Sequence, residues 1–131
     1  MDIIFLILIV ICLLMSLKIF LSIRSKHQFL ARETILVLVF MYISLLVSFA
    51  MFYLIFMQTG SSILLDNGVP VTGSYFQKLN TCLYFSAVTL FSVGYGDINP
   101  VGIGRFIAVI QALIGYLLPI IFVARSVISS E

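Results

Sequence analysis

Residues 89–97 read TLFSVGYGD, a stretch that lies between two strongly apolar segments of a chain that is 63% hydrophobic. Gly94 and Gly96 make it poor material for a helix, since glycine gives up more conformational freedom there than any other residue. In hydrocarbon each unpaired backbone carbonyl costs on the order of several kcal/mol, so irregular backbone at membrane depth survives only inside protein or along a water-filled path. Residues 92–96, SVGYG, therefore face protein and water rather than lipid. Alternating glycine permits conformations in which successive carbonyls point the same way, which an ordinary L-residue resists. A ladder of such carbonyls, repeated about a symmetry axis, can replace the water shell of a cation.

The rest of the 131-residue chain agrees with a membrane setting: only 9% of residues are charged, Trp is absent, and the mean hydropathy is +1.27. That balance is far from that of a soluble domain. The net charge of +2 is scattered, which leaves no footprint for nucleic acid. Cys12 and Cys82 have neither metal-site nor redox spacing and read as small buried hydrophobes. The single histidine, His27, belongs to a basic linker, and no cluster at catalytic spacing is visible. An enzyme is not expected, nor is a cofactor.

Four apolar segments can be marked: 3–23, 35–57, 81–91 and 106–124. The first, second and fourth are long enough to cross a hydrocarbon core of about 30 Å, whereas the third has the length of a re-entrant segment. Arg24, Lys26 and Arg32 crowd the first connection, while residues 58–80 hold only Lys78 and Asp66. The positive-inside rule puts residues 24–33 in the cytoplasm, residues 58–80 and the re-entrant segment on the outer face, and the C-terminus inside. Residues 1–23 are then expected to form a spanning helix with its N-terminus outside, Lys18 snorkelling toward the inner headgroups; a helix lying in the interface is the alternative, disfavoured by the nearly all-round apolar character of residues 3–17. Residues 58–80 carry the turn signals of an exposed loop, among them Asp66-Asn67-Gly68. SYFQ, residues 74–77, has capping-box spacing, and Asn80 is a second candidate N-cap.

With those residues in place, SVGYGD closely resembles the selectivity-filter motif of potassium channels, usually written TVGYG. The resemblance covers residues 34–125 and implies an all-α membrane protein with the potassium-channel pore fold. That fold comprises an outer helix, a re-entrant pore helix, a filter and an inner helix, here preceded by one extra N-terminal helix. It implies a domain plan of helix 1–23, cytoplasmic linker 24–33, pore domain 34–125 and cytoplasmic tail 126–131. It also implies passive K+ transport by a homotetramer in the cell membrane, with K+ and membrane lipid as partners. The filter would be Ser92, Val93, Gly94, Tyr95 and Gly96, the first four of these coordinating K+ through carbonyls and the Ser92 hydroxyl serving the innermost site. Asp97, Tyr84 and Thr89 would support the filter, Thr89 by bonding Tyr95 and Tyr84 by donating to Asp97. Ser92 stands where the family usually has Thr, Phe91 where it has a polar residue, and Val88 where some relatives have Glu.

In the last segment Pro119 has no N–H to donate to the carbonyl of Gly115, and its ring presses on that carbonyl. A bend is expected there, and Gly115 also falls at the position of the family's inner-helix hinge. Val123 and Val127 share a face with Pro119 and would line the cytoplasmic mouth. Gln111, the only amide of this segment, should find a partner within the protein. Two further functions fit the same chain: a poorly selective cation channel, suggested by Ser92 and Phe91, and a non-conducting regulatory subunit of another channel.

Overall fold

The computed structural model describes residues 32–128 together with Ile7, Ile11, Leu14 and Lys18, which are helical and exposed. The expected spanning of residues 1–23 and most of the linker 24–33 lie outside the described residues, as does the tail beyond residue 128. The chain divides into two compact units, Met1–Ser48 and Phe49–Glu131.

Helix α1, Arg32–Gln58, runs 27 residues and is about 40 Å long. In its first-unit part the Ser48 hydroxyl donates to the Ser44 carbonyl at 2.7 Å. That bond lets a hydroxyl sit in an apolar helix without an unmet donor. Helix α3, Ile103–Ile128, has 26 residues with Pro119 inside it. The stretches Ile35–Gln58 and Ile103–Ala124 are long and apolar enough to cross a membrane, and only 17% and 11% of them is buried. The core helix of a soluble protein would be mostly covered, so these helices present their surfaces to lipid or to other chains.

Between them stands α2, Tyr75–Leu90, of 16 residues. At about 24 Å it is too short to span. It begins six residues before the apolar run because the Ser74–Gln77 capping box is used, the Ser74 N–H donating to Gln77 Oε1 at 2.8 Å. Asn80, the other candidate cap, lies inside the helix.

The all-α expectation needs one correction. Residues 58–80 are not a plain loop: β1 (Leu64–Asp66), β2 (Val69–Pro70) and β3 (Ile98–Pro100) form a sheet in the order β2-β1-β3. β1 and β2 are an antiparallel hairpin, and β1 also pairs antiparallel with β3, Asp66 opposite Ile98 and Leu64 opposite Pro100. The physical cause is the Asn67–Gly68 turn, with φ of 47° and 85°. Two left-handed residues close a two-residue hairpin whose twist matches its strands.

The core of the second unit gathers Tyr53, Leu54 and Met57 of α1, Ile63 and Leu64 before and in β1, Cys82 and Phe85 of α2, Ile98 of β3 and Ala108 of α3. Tyr53 and Phe85 meet edge to face at 5.1 Å, a geometry favoured by the ring quadrupoles. This core fixes α2 and β3, the two elements between which residues 91–97 are strung.

Candidate functional site: a strip of free carbonyls

A helix leaves its last carbonyls without intrahelical donors, and at the end of α2 the following residues supply them. The Phe91 N–H donates to the Ala87 carbonyl at 3.0 Å and that of Ser92 to Thr89 at 3.1 Å. The N–H groups of Val93 and Gly94 both reach back to the Val88 carbonyl, at 2.9 and 3.2 Å. Within the strip, the amides of Ser92, Val93 and Gly94 thus turn toward the helix.

Its dihedrals explain how. Ser92, Gly94 and Gly96 have φ of 57°, 55° and 80°, while Val93 and Tyr95 keep ordinary negative values. Alternation in the sign of φ lets neighbouring N–H groups gather on one side, as those of Ser92, Val93 and Gly94 do toward α2. Among the described residues no hydrogen bond ends on the carbonyls of Ser92, Val93, Gly94 or Tyr95. The next two carbonyls differ: that of Gly96 accepts from Asn99 Nδ2 at 3.2 Å, and that of Asp97 from the Asn67 N–H at 2.9 Å. The free ladder ends at Tyr95, so Gly96 contributes conformation and not an open carbonyl.

The supporting residues are placed unevenly. The Tyr84 hydroxyl lies close enough to the Asp97 carboxylate to interact with it, with Tyr95 and Asp66 near enough to act on it electrostatically. Oδ1 of Asp97 is buried and has no partner among the described residues. Thr89 offers its carbonyl to Ser92, but no hydrogen bond joins it to Tyr95 within the described chain, where Tyr95 is 71% exposed.

Behind the strip, a polar cluster ties three helices. Gln111 is fully buried. Its Nε2 donates to the Ser86 carbonyl and hydroxyl at 2.9 and 2.7 Å, and its Oε1 accepts from the Tyr53 hydroxyl at 2.9 Å. The buried residues of α3, Gly104, Ala108, Gln111, Gly115 and Leu118, recur at helical spacing and form a stripe of mostly small side chains. Such a stripe lets backbones approach closely. At Gly115 the approach is extreme: a Cβ would run into the Leu90 carbonyl oxygen and lie 2.9 Å from its carbon.

The residues expected at the gate share α3, which continues through Gly115 and Pro119. Pro119 and Val123 are exposed in the single chain, and the side chain of Val127 lies outside the described residues. Tyr53, Ser86, Leu90 and Asn99 were not marked by sequence reasoning, and Asn67 was marked only as a turn residue. Of these, Tyr53 had a usable signal as a hydroxyl in a charge-free apolar segment.

Comparison with known proteins adds the following. The profile of a family described as ion channel matches residues 34–129. The chain is 40% identical over 110 residues to Protein LctB of Geobacillus stearothermophilus, covering 84% of this chain and 81% of the relative. It is 37% identical over 105 residues to Protein LctB of Bacillus caldotenax, covering 80% and 78% respectively. No solved structure matches.

Proposed function

This chain belongs to the two-transmembrane potassium channel family, and from that premise we propose that it is a potassium-selective channel pore, conducting passively as a homotetramer in the cell membrane. The observation that carries the reading is the carbonyl strip. Its φ sign alternates at Ser92, Gly94 and Gly96, the amides of Ser92, Val93 and Gly94 are committed to α2, and among the described residues the carbonyls of residues 92–95 are free to replace water around a dehydrated cation. One strip supplies one side of a cage, so closed rotational symmetry is needed to complete it. The Ser92 hydroxyl adds an oxygen at the inner end. The C-terminal end of α2 carries partial negative charge toward the same place, which favours a waiting cation. The ion gradient supplies the driving force.

The orientation follows the charges. Residues 58–80 and the outer end of the strip face outside, the linker 24–33 and the C-terminus face the cytoplasm, and the N-terminus faces outside. The bend at Gly115 and Pro119 and the ring of Val123 and Val127 form the inner gate in this reading.

The test is potassium-gradient flux into liposomes holding the purified protein, with barium as blocker and sodium as competitor. Potassium flux that sodium does not share, and that barium stops, is the expected result. Equal passage of sodium and potassium would make it a poorly selective cation channel. No flux from the protein alone would make it a regulatory subunit.

A further inference from the structure

The inner end of the strip is held by three carbonyls of α2; its outer end is held by something else. Asp97 and Gly96 are engaged by groups of the sheet: the Asn67 N–H on the Asp97 carbonyl, and Asn99 Nδ2, from β3, on the Gly96 carbonyl. β3 is paired along its whole length with β1, and the ladder continues to the Val101 N–H, which donates to the Ile63 carbonyl at 2.8 Å. β1 is itself anchored, since Ile63 and Leu64 are buried in the core. Side-chain support at the same end comes from Tyr84, which interacts with the Asp97 carboxylate. Val88 brings no carboxyl group, and Oδ1 of Asp97 lacks a partner among the described residues. A strip that holds a non-glycine residue, Ser92, at φ 57° keeps such a conformation only when its surroundings over-determine it.

We propose that the β1–β2 hairpin is the outer clamp of the filter: a positioning element that holds the carbonyls of Gly94 and Tyr95 in conducting register through its main-chain bonds to residues 97–101. The clamp rests on the channel reading above. It does the work at the outer mouth by backbone pairing, where a carboxyl pair is not available to this chain.

Three variants test it. Replacing Asn67 with its α-hydroxy acid by semisynthesis turns the N–H into an ester oxygen and removes the donor to Asp97. Gly68→Val opposes φ of 85° at a site where an added Cβ meets nothing within 4 Å, so it weakens the turn without a clash. Asn67→Gly keeps both the N–H and the left-handed conformation and serves as the control. Two quantities are measured in proteoliposomes: hydrogen exchange at the Val93 and Gly94 amides, and the ratio of potassium to sodium flux. In the ester and in Gly68→Val the two amides should exchange faster by roughly two- to tenfold, the worth of one net hydrogen bond, and the flux ratio should fall. Asn67→Gly should match the unaltered protein in both. Unaltered exchange at Val93 and Gly94 in the ester and Gly68→Val overturns the clamp. So does faster exchange with an unchanged ratio in a channel that is itself selective, since the hairpin would then order the strip without setting its chemistry. If exchange quickens while the unaltered protein passes sodium as well as potassium, or passes neither, the clamp stands as a filter-ordering element and the potassium-selective reading falls.

Discussion

At the scale of single residues, the strip is a backbone device, and its side chains matter mainly through the dihedrals they allow. Gly94 has φ of 55° with nothing within 4 Å of an added Cβ, so Gly94→Ala is opposed by conformation and not by collision in its own chain. A left-handed L-residue costs roughly 1–2 kcal/mol, repeated in every copy of an assembly. Potassium flux should therefore be lost from Gly94→Ala while assembly is retained, as read by liposome flux beside cross-linked size. Unchanged conduction would rule out the carbonyl ladder. This part of the site was legible in the sequence, because Gly-X-Gly at membrane depth has few physical readings. The end of the ladder was not: that Asn99 takes the Gly96 carbonyl depends on a side chain three residues away folding back, and asparagine in a turn has many equivalent targets.

Among the elements, the three helices were marked by apolar length, yet their contacts were not. Gln111 in an apolar helix demanded a partner, but the choice of Ser86 and Tyr53, the latter 58 residues away, is set by packing. Gln111→Leu keeps the volume close and deletes both sets of bonds, which should destabilise each chain by about 1–3 kcal/mol. Tyr53→Phe should cost less, and the double variant less than the sum of the two, since both remove one shared bond. Thermal unfolding in detergent measures all three; strict additivity would show that the cluster is not a unit. The strands were missed for a related reason: two or three residues carry no period, and β1 finds β3 across more than 30 residues. Gly115 has a role that no local pattern reveals. Read as a hinge, Gly115→Ala should resemble a weaker Pro119→Ala, which restores an N–H, straightens α3 and lowers open probability. With the Leu90 carbonyl against it, an alanine at residue 115 must instead push on the end of α2 that feeds the strip. Single-channel recording should then show Pro119→Ala changing open probability at constant current, and Gly115→Ala changing the current itself. Equal effects of the two on open probability alone would restore the simple hinge.

For the whole molecule, the proposed channel reading requires several chains. The single chain's two membrane-length helices are barely buried among the described residues, which lipid can remedy. Val93 and Tyr95, 51% and 71% exposed, are a different matter, because they belong to irregular backbone that cannot face lipid. Under the proposed channel reading their side chains need protein cover, which neighbouring copies of the homotetramer would supply. Orientation is tested first: in a background lacking Cys12 and Cys82, Ser62→Cys in the exposed connection before β1 should react with an impermeant thiol reagent added outside, and labelling only from the cytoplasmic side would invert the topology. Assembly is tested through the ion. A cation held by carbonyls from several chains binds the assembled state and not the separated one, so it must stabilise the assembly by mass action, by about 2.7 kcal/mol at a hundredfold excess over its dissociation constant. Cross-linking in proteoliposomes should give a ladder ending at four times the 14.6 kDa chain. The four-chain species should survive to a higher temperature in potassium than in sodium, because only a cation that fits the carbonyl cage gains from it. Gly94→Ala should assemble but lose that difference, since its ladder is bent while its interfaces are intact. A ladder ending at two chains, or a melting temperature indifferent to the cation, would mean that the strips of separate chains do not meet around an ion, whatever their individual geometry.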